Sequence, residues 1–133
     1  VVAPGKRPFH TIIPGFVTKG GRPQMSFGVM GGNMQPQGHL QTLVRMLVHG
    51  QQPQAACDAP RWKVGTGLKI DCEHTMAPAL REGLRGLGHA LEATADTYMD
   101  FGSGQFIWRL SDDPDDGYVA ASDARREGQA VGT

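Results

Sequence analysis

From Met25 to His49 the chain passes from an apolar stretch, Met25-Ser26-Phe27-Gly28-Val29-Met30, through Gly31-Gly32 into Leu40, Leu43, Val44, Leu47 and Val48 at helical spacing. No other feature restricts the fold as tightly, because the order it imposes is strand, sharp turn, helix. Pro36 suits the first turn of that helix, and His49-Gly50 its last turn and glycine stop. Glycine has no Cβ to hold a ligand away from the backbone, and the first N–H groups of a helix lack intrahelical partners. The junction is therefore a candidate anion cradle, suited to an oxyanion developing on a carbonyl. Paired glycines also close strand-to-helix turns for steric reasons alone, so the pair by itself leaves both readings open.

The flanking sequence supplies further elements. Ile12 to Thr18 and Gln24 to Met30 read as strands joined by a tight hairpin at Lys19-Gly20-Gly21-Arg22. Pro53 to Ala59 reads as a short helix ended by Pro60, followed by extended segments at Trp62 to Val64 and Leu68 to Cys72. A third helix is expected over Ala77 to Leu87, with Thr75 as its cap, Gly88 as its stop and Leu80, Leu84 and Leu87 as a core-facing stripe. His89 to Ala95, Gln105 to Leu110 and Tyr118 to Ser122 read as strands, the last two separated by a solvated, acid-rich turn ending in Asp116-Gly117. The pattern is that of an α/β (α+β) chain, one sheet packed by about three helices. With no linker interrupting it, residues 1–133 are expected to form a single domain.

Composition excludes several classes of partner. Thirteen basic and thirteen acidic side chains give a formal charge of zero, and no Lys/Arg cluster could track a phosphate backbone, so no nucleic acid is expected. No apolar run is long enough to span a bilayer and no signal-peptide pattern opens the chain, which leaves the compartment open. Cys57 and Cys72 lack C-x-x-C spacing and read as reduced, partly buried thiols, a bridge or metal site being the alternatives. Asp71-Cys72-Glu73-His74 offers four ligand types in a row, but neighbours in a strand point to opposite faces. His39, His49 and His89 lack metal spacing and suit solvated or capping roles. Gly102-Ser103-Gly104 is followed by neither the lysine nor the helix of a phosphate loop. Neither a metal nor a cofactor is expected.

Four blocks carry a resemblance. Gly5-Lys6-Arg7-Pro8-Phe9-His10-Thr11-Ile12-Ile13-Pro14, Gly28-Val29-Met30-Gly31-Gly32, Asp58-Ala59-Pro60-Arg61 and the run from Ala121 to Gly132 resemble the gamma-glutamyltranspeptidase family in order and approximate spacing. Gln35-Pro36-Gln37-Gly38-His39 is more similar to the family's acylase-like branch, and is expected to shape the pocket floor. The resemblance implies part of the αββα sandwich of N-terminal-nucleophile hydrolases, with a mixed, mostly antiparallel sheet. It places the chain in the C-terminal portion of the small subunit. The implied activity is cleavage of γ-glutamyl amides through an N-terminal threonine expected upstream of Val1. Val1 has no hydroxyl or thiol to take that role, so the chain alone is expected to be inactive. The expected partners are the large subunit and the N-terminal part of the small subunit.

The same resemblance makes Gly31 and Gly32 the oxyanion hole. His10-Thr11 stand where transpeptidases carry the Ser-Ser pair that binds the substrate's α-carboxylate, and Ile12-Ile13 replace the usual Met-Ser. A related acylase or amidase of different specificity is accordingly the alternative function, and a non-catalytic interaction module is a third. Asn33 could offer its side-chain amide to substrate or serve as a cap or turn residue. Sheet edges and apolar helix faces left uncovered are expected to drive homo-oligomerisation of the chain.

Overall fold

A computed structural model describes residues 1–95 and 100–132. Strands β1 (Gly15–Lys19) and β2 (Arg22–Met30) form the expected hairpin, turning at Gly20-Gly21 with Lys19 opposite Arg22. A 3-10 turn at Gly32–Met34 leads into helix α1 (Gln35–Leu43), which widens into a π-helical turn over Val44–Val48. Helix α2 (Pro53–Asp58), strands β3 (Trp62–Val64) and β4 (Lys69–Glu73), helix α3 (Pro78–Gly86) and strands β5 (Ala90–Thr94), β6 (Ser103–Arg109) and β7 (Tyr118–Ser122) follow.

Two sheets form where one was expected. The first has the order β1-β2-β6-β7 and is antiparallel throughout. The second has the order β3-β4-β5, with β4 and β5 parallel. Both edges of β2 are taken by β1 and β6, so the strands between α2 and β6 pair among themselves. The β6–β7 connection is longer than a tight hairpin, because Pro114–Asp116 forms a 3-10 turn capped by the Asp113 side chain.

β1 starts three residues later than its apolar run suggests. Pro14 has no N–H to give to a ladder and restrains Ile13 before it. Beyond the Gly15–Phe27 pair, side chains of α1 occupy the place of a strand: His39 Nε2 accepts the Val29 N–H at 2.9 Å, and the Gln35 amide bonds Thr11 and Ile13.

The core lies between one face of the four-stranded sheet and helices α1 and α2. It contains Met25, Phe27, Val29, Met46, Ala56, Cys57, Phe106 and Ala121. The inward face of α1 is small and polar rather than aliphatic: Gly38 lies against Val29, and the Thr42 hydroxyl donates back to the Gly38 carbonyl at 2.8 Å. Leu40, Leu47 and Val48 point outward and are exposed. The leucine stripe of α3 does not form core either. Leu80 is 61% and Leu87 78% exposed, because the strand that α3 contacts, β5, has no buried position to receive it. Thr75 does not cap α3; the cap position is Ala77, with no side-chain bond.

Four charged side chains tie the layers together. Arg61 and Asp123, 1% and 0% exposed, pair at 2.6 Å between Nη2 and Oδ2. Arg125 reaches Glu73 Oε1 through Nε at 2.6 Å and Asp123 Oδ1 through Nη1 at 3.0 Å. The Arg61 N–H donates to Glu73 Oε2 and the Gly104 N–H to Asp123 Oδ2, at 2.6 and 2.8 Å. Burial by itself would raise the Asp123 carboxyl, but Arg61, the Gly104 and Arg125 N–H groups and the Arg125 charge outweigh it and hold it below the ordinary carboxylate range. Removing one member of such a cluster strands an opposite charge in the interior, so Asp123→Ala is expected to cost about 3–5 kcal/mol. Urea unfolding checks this, and a midpoint like that of the unsubstituted chain would show that the cluster contributes little.

Candidate active site

The site begins where β2 ends. Met30 is opposite Ser103 in the sheet, and the chain then turns at Gly31, with φ 136° and ψ 31°, and Gly32, with φ 57°. A Cβ on Gly31 would stand 2.9 Å from Gly102 Cα and 3.3 Å from Met34 Cβ, so backbone packs directly on backbone. Gly102, at φ 71°, answers from the other side, since a Cβ there would lie 2.1 Å from the Met30 oxygen. A Cβ on Gly32 would meet nothing within 4 Å, which leaves this part of the turn open on its side-chain side. The Met34 N–H closes the turn on the Gly31 oxygen at 3.0 Å. The result is a fixed pair of peptide groups at the start of α1, where the helix dipole favours negative charge.

Gln35 joins this turn to the segment before β1. Its Nε2 donates to the Thr11 oxygen at 2.8 Å and the Gly32 oxygen at 3.2 Å, while its Oε1 accepts the Ile13 N–H at 3.2 Å. Thr11 is thereby brought beside the glycine pair, 20 positions away in sequence. His10 is exposed, with no hydrogen-bond partner among the described residues. Asn33 lies inside the 3-10 turn, exposed, and neither that turn nor α1 has a side-chain cap, so the capping alternative is not realised. Of the residues singled out by sequence, Gly31 and Gly32 form the turn and Thr11 is tied to Gly32 through the Gln35 side chain, whereas His10 and Asn33 are exposed.

A cleft of 640 Å³ crosses the sheet face opposite the core, with Ile12, Ile13, Met30, Gln35, Ser103 and Ile107 among its lining. It is mostly apolar, and Gly31 follows directly on its wall residue Met30. The apolar cleft therefore adjoins the glycine turn at the head of α1.

The ionic cluster reaches the same place. Arg61 Nη1 donates to the Phe101 and Gly102 oxygens at 2.9 and 3.3 Å, and Gly102 is the backbone against which Gly31 rests. Sequence inspection finds Arg61, Asp123 and Arg125 only as parts of similar blocks and assigns them no role. It finds no part for Gln35 beyond the pocket floor. The Asp71-Cys72-Glu73-His74 run also divides: Asp71 faces Lys63 and Lys69, Glu73 joins the cluster, Cys72 is buried and His74 is exposed. Both cysteines are free.

His39 supports the strand that leads to Gly31, its ring 4.9 Å from that of Phe27. Burial lowers its pKa below the ordinary value, and its Nε2 must stay unprotonated to accept from Val29. The unfolded chain thus binds the proton more readily, so His39's contribution is complete above about pH 6.5 and declines as the pH falls below it. Urea midpoints measured across this range should fall on acidification, and a His39→Gln variant, which keeps an acceptor but does not titrate, should flatten the dependence. Gly102→Ala, forced into a left-handed conformation against the Met30 oxygen, should cost about 1–3 kcal/mol from backbone strain alone. An unchanged melting temperature for that variant would mean that the Gly31–Gly102 contact is easily relaxed.

The model of the gamma-glutamyltranspeptidase family matches residues 1–133. The chain is 34% identical over 136 residues to the glutathione hydrolase-like YwrD proenzyme of Bacillus subtilis strain 168, with 97% of the chain covered. It is likewise 34% identical to the oxamate amidohydrolase proenzyme of Klebsiella pneumoniae, with 98% covered. It spans 25% of the length of each of these relatives. Among solved structures, cephalosporin acylase from Bacillus halodurans superposes with a TM-score of 0.82 at 45% identity, covering 96% of this chain and 23% of that one. The gamma-glutamyltranspeptidase of Pseudomonas nitroreducens complexed with L-DON shares the fold at TM-score 0.79 and 21% identity, covering 99% and 67%. With every residue matched by the family model and a glycine turn built as described, the chain belongs to the gamma-glutamyltranspeptidase family.

Proposed function

We propose that the chain is a single-domain, C-terminal part of the small subunit of an amide-cleaving acyltransferase or hydrolase, acting on γ-glutamyl or closely related amides. Gly31 and Gly32 form the oxyanion hole, and His10, Thr11 and Asn33 bind the substrate. The observation that carries this reading is the rigid Gly31–Gly32 turn at the head of α1, with the Thr11 segment bonded to it through Gln35. Two N–H groups fixed there would receive the negative charge as a nucleophile adds to the amide carbonyl, and water or an amine would then take up the acyl group. The nucleophile is a threonine from outside these 133 residues, and the large subunit and the remainder of the small subunit complete the site.

A specific observation also favours the acylase-type alternative. The chain is 45% identical to the cephalosporin acylase structure and 21% identical to a gamma-glutamyltranspeptidase structure, and exposed His10 stands where the resemblance to transpeptidases implies a hydroxyl residue. A preference for an acyl group without the α-amino function, such as glutaryl, fits this. Uncovered apolar groups bear on assembly: Phe16 on β1, Leu40 on α1 and Val48 on the π-helical turn after it are exposed groups that a partner would cover.

The chain alone should hydrolyse neither γ-glutamyl nor glutaryl anilide, and activity should appear on mixing with the complementary upstream segment bearing a free N-terminal threonine. Glutaryl turnover exceeding γ-glutamyl turnover would select the acylase reading; turnover by the chain alone would overturn both. Light scattering should find the chain associated, and a monodisperse monomer at micromolar concentration would count against the uncovered faces being interfaces.

A further inference from the structure

We propose that Gln35 is a positioning residue that sets the distance between the substrate's carboxylate and the reacting carbonyl. The inference rests on the reading that His10 and Thr11 bind that carboxylate and Gly31-Gly32 the oxyanion. Gln35 opens α1 and is only 8% exposed, so its amide is directed inward rather than to solvent. All its bonding capacity points two ways. Oε1 takes the Ile13 N–H, one amide hydrogen goes to the Thr11 oxygen, and the other to the Gly32 oxygen. The Thr11 carbonyl and Ile13 N–H flank a single residue, Ile12, and a neighbouring parallel strand would engage the same two groups through the N–H and C=O of one of its residues. The side-chain amide of Gln35 thus stands in for a strand that β2 does not provide here.

Among the described residues no hydrogen bond outside those of Gln35 ties Thr11–Ile13 to the fold. Residues 6–14 have no regular secondary structure and are exposed throughout. The other arm of the same amide rests on Gly32 itself, so the register of His10-Thr11 against the oxyanion turn is set by one side chain. A substrate gripped at one end by His10-Thr11 and polarised at the other by Gly31-Gly32 has its reach measured by this link. A misplacement of about 1 Å between such groups can cost about a hundredfold.

The test uses the full-length, self-processed protein and whichever of γ-glutamyl and glutaryl anilide it turns over, since both carry the distal carboxylate. Gln35→Met removes all three bonds while keeping the side chain's length. The expected result is a KM raised about tenfold, matched by His10→Ala and Thr11→Ala, with a smaller change in kcat. Hydrogen exchange should rise in peptides covering residues 9–14 and stay unchanged in α1. If the His10 and Thr11 variants raise KM but Gln35→Met leaves KM and exchange unaltered, the inference fails while the functional reading stands. If the unsubstituted protein turns over neither anilide, or the His10 and Thr11 variants leave KM unaltered, the reading fails and the inference with it. Should Gln35→Met not fold, Gln35→Glu, which keeps the acceptor for Ile13 but turns a carboxylate toward two carbonyls, is read in the same way. Loss of fold in both variants would make Gln35 a residue of the core and overturn the proposal.

Discussion

The fold depends on two guanidinium groups and two carboxylates withdrawn from water. Arg61, Glu73, Asp123 and Arg125 draw together the segment after α2, strand β4, the start of β6 and the segment after β7. Burying four charges is tolerable only because each meets an opposite charge and nearly every remaining donor finds a backbone carbonyl: Cys57, Ala59, Phe101 and Gly102 all accept from the two arginines. Arg61 Nε is the exception. The four-stranded sheet has a hydrophobic core against α1 and α2; the three-stranded sheet is joined to it by charge and by amide side chains. Gln41 is of the second kind, bonding both the Trp62 N–H and oxygen, at 3.0 and 2.8 Å.

That same cluster connects structure to chemistry. Arg61 fixes the Phe101-Gly102 carbonyls, Gly102 backs Gly31, and Gly31 shapes the head of α1. The opposite side of the turn is supported by α1 itself, whose first side chain, Gln35, and fifth, His39, close backbone groups left open where β1 stops short. Amide and imidazole side chains thereby complete a sheet edge that backbone alone leaves unfinished. Such a design gives a turn held from both sides, which suits a site that must not reorganise as charge develops.

The parts legible in sequence were those governed by local rules. The Gly20-Gly21 hairpin, the Gly31-Gly32 turn, the proline-started α2 and the strands Trp62–Val64 and Tyr118–Ser122 follow from turn chemistry and alternation within a few residues. Periodicity misleads where it stands for burial. Leu80, Leu84 and Leu87 do form a stripe on a helix, yet a stripe states which residues share a face and not whether anything covers that face. The polar contacts were hidden for a different reason. Charged residues default to the surface, and nothing local separates Arg61, buried, from Arg22, exposed, until residues 60 or more positions apart are brought together. Gln35 was visible as part of a motif, but its role depends on where residues 11–13 end up.

Cys57 is walled in by this cluster. Its carbonyl accepts from Arg61 and Arg125, and its thiol lies 3.6 Å from Asp123 Oδ2. Burial first, and the Asp123 charge second, push the thiol up to about 12, so at neutral pH it is neither accessible nor ionised. A thiol reagent can reach it only after the charges around it have parted. The cysteine is thus a clock built into the joint between the two sheets, its modification rate counting how often that joint opens.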